Sequence, residues 1–457
     1  MLRFTGYGLL GVCFLLAIFI MQKEAEGSES KSSGPAKPNI IFIMADDMGY
    51  GDAGAFGQVS IKTPHIDRLA REGMVFTQCY AGSTVCAPSR STLMTGLHTG
   101  HTRVRGNTTQ VELDLPNPRR LPLKKEDVTI AEVLGQAGYV CGMFGKWGLG
   151  EANTTGEPNS QGFDEWFGFL NQRHAHTHYP DYLWENRDTF PIPGNDTARY
   201  QHSHELFTER ALEFIRENRE SPFFLYVPYT LPHDEFDATA EFMEIYSNTG
   251  WTEREKTYAA MVSMVDDGVG QIIDCLTKWR LRNRTLIMFC SDNGAANRYD
   301  GRFNSSGPLR GRKRDMYEGG IRTPMIVNWP GIIQQGRNDE LVWYFPDVFP
   351  TLAGLAGAEV PEGIDGISVI PVFFGQEWSP PERFLYWEFP REVLHQAARW
   401  KNWKAIRHGV NGKLELYNLN TDLSEENDIS DDYPEIVRIF EDYLLTARTE
   451  TEYWINE

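Results

Sequence analysis

The chain has 457 residues, with 44 Lys and Arg against 63 Asp and Glu, for a formal net charge of −19. That balance excludes a nucleic-acid or anionic-membrane binder, because such partners need dense Lys and Arg to displace counterions. Hydrophobic residues at 41% and charged residues at 23% exclude a largely disordered chain, and the length allows one large domain with a smaller second one.

Arg3 precedes an apolar run from Leu9 to Met21, followed by the polar stretch from Gln22 to Ser30. This reads as a signal peptide over residues 1–27, with Ala25 and Gly27 near the cleavage point. The run is short for a membrane span and no second one follows, so stable membrane insertion is not expected. The expected location is secreted or another exported compartment: periplasm, lysosome or extracellular space. Cys13 falls in the signal, leaving Cys79, Cys86, Cys141, Cys275 and Cys290. An odd number in an oxidising compartment means that one is free, modified or paired to another chain. Sequons at Asn107, Asn153, Asn195, Asn283 and Asn304 are compatible with a glycoprotein.

Residues 28–38 are a polar leader rich in Ser and Pro. Short apolar runs follow at Ile40–Met44, Tyr139–Phe144, Pro222–Val227, Thr285–Cys290 and Pro324–Trp329, each the length of a buried strand. Helical patterns lie between them at His65–Gly73, Ile130–Gly138, Glu205–Glu217 and Thr252–Lys278. This alternation predicts an α/β fold with a mostly parallel central sheet flanked by helices, over a main domain of residues 39–360. From 361 to 457 the texture shifts to shorter segments, Arg383–Phe389, Ala397–Ile406 and Lys413–Leu419, then a helical stretch Pro434–Ala447. These predict a smaller C-terminal subdomain with an antiparallel sheet and a terminal helix.

Polar residues fall at the ends of the predicted strands. The first ends in Asp46-Asp47, the second in Gly145-Lys146, the third is followed by His233, and the fourth ends in Asp292-Asn293-Gly294. Ligands of open α/β sheets bind at the carboxyl ends of strands, so four such arrivals point to one site. Asp46, Asp47, Asp292 and Asn293 are hard oxygen donors suited to Ca²⁺ or Mg²⁺, and the neutral amide favours Ca²⁺ somewhat.

Cys86-Ala87-Pro88-Ser89-Arg90, with Thr95-Gly96 downstream, resembles the signature of the type I, formylglycine-dependent sulfatases of the alkaline phosphatase superfamily. Gly145-Lys146-Trp147, Pro232-His233, Ser291 to Gly294, Leu309 to Lys313, Glu318 to Pro324 and Asp365 to Ser368 follow the same family order. The resemblance implies an alkaline-phosphatase-like fold, with residues 39–360 as the catalytic sulfatase domain. It implies oxidation of Cys86 to formylglycine by a formylglycine-generating or sulfatase-maturating enzyme. One Ca²⁺ per chain would be held by Asp46, Asp47, Asp292, Asn293 and the modified Cys86. The aldehyde hydrate carries two hydroxyls: one attacks sulfur and expels the alcohol, and the other ejects sulfate. By the same match Arg90 holds the modified side chain, Lys146 and Lys313 bind sulfate oxygens, and His233 protonates the leaving oxygen. The implied substrate is a sulfated carbohydrate.

One position departs from the family. The segment usually reads Gly-Lys-Trp-His-Leu-Gly, and here Gly148 stands in place of the histidine credited with sulfate elimination. His174, His176 and His178 alternate, and would share one face of an extended segment; His174 or His176 is the expected replacement. Arg310, beside Lys313, is a further candidate substrate contact, and His98, His101 and Arg105, which follow the nucleophile helix, are expected near the site. Tyr179, Tyr182 and Trp184 are candidates for stacking on sugar rings. Two other functions fit the same residues: a phosphonate or phosphate ester hydrolase of the superfamily, and a non-catalytic glycan-binding homologue permitted by Gly148.

Overall fold

The computed structural model describes residues 37–115, 117–296 and 301–454. The expected signal peptide and nearly all of the polar leader lie outside them. The main sheet contains β1 (Asn39–Ala45), β2 (Met74–Phe76), β3 (Val140–Lys146), β4 (Glu165–Phe169) and β5 (Tyr182–Glu185). It continues with β6 (Asp188–Pro191), β7 (Phe223–Pro228), β8 (Thr285–Ser291), β9 (Met325–Asn328) and β10 (Arg337–Asp339). Their spatial order is β10-β2-β9-β8-β1-β7-β3-β4-β5-β6. The middle five, β8 to β4, are parallel; β9 pairs antiparallel with both neighbours, and so does β5.

The central strands read as unbroken apolar runs because both of their faces are covered. In β1, Ile41, Ile43 and Ala45 enter one core while Ile40, Phe42 and Met44 enter the other, as the two-residue side-chain period requires. Helices Ser203–Glu217 and Glu253–Lys278 cover the first face through residues such as Phe207, Phe214 and Val262. Helices Cys86–Thr95, Ile130–Gln136 and Phe345–Ala356 cover the second through Leu93, Leu134 and Leu352.

The C-terminal sheet has four antiparallel strands, β11 (Phe384–Pro390), β12 (Leu394–Trp400), β13 (Trp403–His408) and β14 (Leu414–Asn418). Helix Pro434–Leu444 packs on it through Phe440 and Leu444. The stretch Ala397–Ile406, expected as one segment, is two strands. Trp400 pairs with Trp403 across a two-residue turn in which Lys401 takes a φ of 54°. Ala398 and Trp400 before the turn share a core with Trp403 and Ala405 after it, so the inward positions shift by one residue at the turn.

The two sheets are tied by buried charge. Lys404 Nζ, on β13, lies 2.9 Å from Glu318 Oε1 and 2.8 Å from Glu425 Oε1, with the lysine and both carboxylates fully buried. None of the five cysteines forms a disulfide among the described residues. No helix among those residues is long and apolar enough to cross a membrane. Of the sequons, Asn195 is buried and its amide donates to the carbonyls of Pro180 and Gln201 at 2.8 Å each, so a glycan there is incompatible with this fold.

Lys404→Met leaves two buried carboxylates without their shared cation. Its expected effect is a loss of about 3–5 kcal/mol of folding stability, read as a lower denaturation midpoint in urea.

Candidate active site

Four neighbouring parallel strands deliver their polar residues to one edge. Asp46 and Asp47 follow β1, Lys146 ends β3, His233 lies shortly beyond β7, and Asp292 and Asn293 follow β8. Above them helix Cys86–Thr95 begins with Cys86 as its first residue, and every residue of that helix is buried. Arg90, one turn on, points back to the same place. Lys313 arrives from the segment between β8 and β9, anchored by its N–H on the Ala295 carbonyl at 3.0 Å.

These side chains form one contact network. Cys86 donates through its thiol to Asp46 Oδ1 at 3.3 Å. Lys146 Nζ donates to Asp46 Oδ2 at 2.5 Å, and Lys313 Nζ lies 2.5 Å from Asp47 Oδ1 and 3.4 Å from Cys86 Sγ. Arg90 forks onto Asp292 Oδ2 through Nε (3.1 Å) and Nη2 (2.9 Å), while its Nη1 donates to the Lys146 carbonyl at 2.6 Å. Asn293 Nδ2 donates to Asp47 Oδ1 at 2.7 Å. His233 Nδ1 donates to the Asp234 carbonyl, and Nε2 lies 3.4 Å from Asp47 Oδ2.

All of these groups are buried, so their charges act at low dielectric. Burial opposes ionisation of Asp46, but Lys146, His233 and Arg90 hold its carboxyl well below the usual carboxylate range. Asp292 is pushed up to about 6 by burial and by Asp46. Burial and Asp46 push the Cys86 thiol up to about 12, which makes it a thiol and not a thiolate. Burial brings the His233 imidazole down to about 3 against the pull of Asp47. Its Nδ1 is held by the Asp234 carbonyl, which aims Nε2 at the cluster.

The donors suit a hard cation. Three carboxylates and one amide oxygen converge, and Asn293 Oδ1 is buried with no hydrogen-bond partner among the described residues, a cost that a bound ion removes. Three acids are matched by three bases, Arg90, Lys146 and Lys313, so the protein groups alone are balanced. A divalent ion would leave the site positive and ready for an anion.

This set of contacts accompanies a family match. Residues 38–358 match the Sulfatase family, and residues 312–450 match N-sulphoglucosamine sulphohydrolase, C-terminal. The chain belongs to the sulfatase family. It is 33% identical to N-acetylgalactosamine-6-sulfatase of Sus scrofa over 411 residues, covering 83% of this chain and 75% of that one. Against arylsulfatase A of Homo sapiens it is 32% identical over 391 residues, covering 78% and 72%. The crystal structure of Ps i-CgsB in complex with k-i-k-neocarrahexaose superposes with a TM-score of 0.80 at 30% identity, covering 92% of this chain and 95% of that one. This protein is therefore an enzyme of the sulfuric ester hydrolase class, with the alkaline-phosphatase-like architecture.

The other candidate residues of this sulfatase disperse. Segment 174–176 is a turn of 3₁₀ helix and not an extended strand, so its histidines do not share a face. His174 packs on Phe169 and Tyr182, with ring centroids at 4.8 and 4.5 Å. His176 is exposed and lies 4.5 Å from the ring of His233, while His178 is buried with Nε2 3.2 Å from the His233 carbonyl. The turn follows from Asn171, whose side chain accepts the His174 N–H at 3.0 Å and closes the chain on itself. Arg310 is outside the cluster: its guanidinium covers the Tyr317 ring at 3.9 Å and donates to the Glu425 carbonyl. Arg105 pairs with Glu388 at 3.2 Å, and His98 and His101 stack on each other beside Asp365. All three serve the contact with the C-terminal segment. Tyr179 sits under Arg199 and against His202.

The residue that occupies the place beside Gly148 is Gln172. Its Nε2 donates to the Gly148 carbonyl at 2.9 Å, and its Oε1 accepts from Arg120 Nη1 at 2.6 Å. Arg120 also donates to the Asn107 carbonyl at 2.8 Å, and the Asn107 side chain accepts the Ala87 N–H at 2.9 Å. This chain of contacts has no sequence signal, because each bond joins residues 13 to 52 positions apart.

Gly148 has a φ of 87°, and a Cβ there would lie 2.5 Å from Gln172 Nε2. Gly148→Ala is expected to lower stability by about 1–3 kcal/mol, measured by urea denaturation. Adding Gln172→Ala should restore only part of it, because the backbone conformation stays unfavourable for alanine.

Proposed function

We propose that this sulfatase cleaves sulfate esters of a carbohydrate, with Cys86 working after conversion to formylglycine and one Ca²⁺ held by Asp46, Asp47, Asp292, Asn293 and residue 86. The observation that carries this is the convergence of Cys86, Lys146, Lys313 and His233 on those oxygen donors at the ends of four adjacent strands. The names of relatives, N-acetylgalactosamine-6-sulfatase and a structure with bound neocarrahexaose among them, support a sulfated sugar. As an aldehyde hydrate, residue 86 supplies hydroxyls for attack on sulfur and for release of sulfate. The ion supplies positive charge beside the sulfate oxygens.

The remaining work falls to side chains. Arg90 is locked between Asp292 and the Lys146 carbonyl, so it holds helix Cys86–Thr95 in register with the ends of β3 and β8. Each ammonium has three donors; Lys146 uses one on Asp46, which leaves donors for a sulfate oxygen, and Lys313 Nζ lies 3.4 Å from Cys86 Sγ. His233 exchanges a proton with the leaving oxygen through Nε2, and His176 flanks its ring at the mouth. Export through the leader at 1–27 fits the oxidation chemistry required at Cys86, as does a maturating enzyme as partner.

The test is expression with a formylglycine-generating enzyme, mass spectrometry of the peptide containing Cys86, and desulfation assays. The expected result is an aldehyde at position 86, turnover of sulfated sugars abolished by EDTA and restored by Ca²⁺, and none in Cys86→Ala. An unmodified thiol in active protein would overturn the mechanism. Hydrolysis of a phosphonate ester alone would favour the phosphonate hydrolase reading, whose fold is shared by the phosphonate monoester hydrolase of Agrobacterium radiobacter (TM-score 0.65, 21% identity). His233→Ala should reduce kcat on alkyl sulfates by roughly 10²-fold or more, with a smaller loss on nitrophenyl sulfate, whose leaving group needs no proton.

A further inference from the structure

We propose that a cleft beside the nucleophile is a second anion-binding subsite, which makes the preferred substrate a saccharide bearing a further sulfate or carboxylate besides the scissile sulfate. This rests on the sulfated-carbohydrate reading above. The cleft has a volume of about 550 Å³, within the range that holds one or two sugar rings. Arg119, Arg120, Arg173, His174, Asn171 and Tyr182 line it, and none of the described lining residues is acidic. In a chain of net charge −19, three arginines in one cleft without a lining carboxylate depart from the surface at large.

The arginines are weakly neutralised. Arg120 spends its Nη1 on two neutral oxygens, the Asn107 carbonyl and Gln172 Oε1. Arg173 is exposed and forms no ion pair among the described residues. Among the described residues Arg119 pairs only with Glu112, at 3.5 Å, with both side chains in solvent, where such a pair contributes little. The nearest acid is Glu151, which lines the crevice beside Arg120, accepts from Asn171 Nδ2 at 3.1 Å and offsets part of the Arg120 charge; no acid offsets Arg173 in this way among the described residues.

Position links the cleft to the reaction. Arg120 and Asn171 also line a narrow crevice that reaches Ala87, Gly148 and Gln172, next to the residue proposed to attack sulfur. The crevice holds only about 10 Å³ and does not pass a sugar, so the link is Arg120 itself, bonded to Gln172 beside Gly148 and, through Asn107, to the Ala87 N–H. A sugar placed over the catalytic cluster would bring its neighbouring substituent toward Arg119 and Arg173. Guanidinium forks match the paired oxygens of sulfate and carboxylate alike. Tyr182, 38% exposed, offers an aromatic face for a sugar ring.

The test is calorimetric binding of four disaccharides of one skeleton: neutral, monosulfated, disulfated, and monosulfated with a neighbouring uronate. Wild-type protein is compared with Arg119→Ala/Arg173→Ala and Arg119→Lys/Arg173→Lys, after thermal melting confirms that the variants are folded. Wild type is expected to bind the disulfated or the uronate sugar about tenfold or more tighter than the monosulfated one. The alanine pair should erase that preference, the lysine pair should keep part of it, and added salt should narrow it. Equal wild-type affinity for all three anionic sugars, or an alanine pair with intact preference, would overturn the subsite. Binding is read whether or not turnover occurs, so selective binding with no desulfation would overturn the catalytic reading and leave the subsite standing.

Discussion

Three carboxylates and three basic side chains are buried together at the carboxyl edge of the central sheet, and the rest of the molecule is arranged to make that burial tolerable. Unpaired, a charge in this setting would carry a desolvation penalty of several kcal/mol. Paired as Asp46 with Lys146, Asp47 with Lys313 and Asp292 with Arg90, the groups balance one another. The balance leaves little slack, because removing any single member strands its partner.

The parallel sheet supplies the required alignment. Strands β8, β1, β7 and β3 run side by side in one direction, so residues far apart in sequence reach the same edge within contact distance. Helix Cys86–Thr95 then closes the cluster from above. Its N-terminus carries partial positive charge toward the acids, and all of its side chains are packed. Helix Phe345–Ala356 packs against it in the same core, and the C-terminal sheet is joined to the main domain through Arg105 with Glu388 and Lys404 with Glu318.

The surroundings of Gly148 show a different solution from the one the family pattern suggests. With no side chain at that position, the space beside Ala87 is held by Gln172 and Arg120 in a hydrogen-bonded chain. The histidines that alternate in sequence separate in space: one stacks on His233, one is buried behind it, and one joins the wall of the arginine cleft. The side chain beside Gly148 is thus a neutral amide, with the Arg120 guanidinium one hydrogen bond behind it.

The sequence by itself determined the α/β class, the positions of the central strands and the residues that meet at their ends. Those features are local: a run such as Asn39–Ala45 is apolar throughout because it is buried on both faces, and Asp46-Asp47 follow it wherever it goes. The Cys86 to Arg90 run is equally local, since its spacing is one helical turn. Only the tertiary structure decided the turn at Lys401, the separation of His174, His176 and His178, the loss of Arg310 and Arg105 to structural pairs, and the cleft around Arg120. Each of these depends on which long-range partner a side chain finds, and a surface arginine or histidine has the same sequence appearance whether it meets a backbone carbonyl, a carboxylate or open solvent. Periodicity records the core, where contacts repeat along the chain; specificity is set by contacts across it, which leave no period to read.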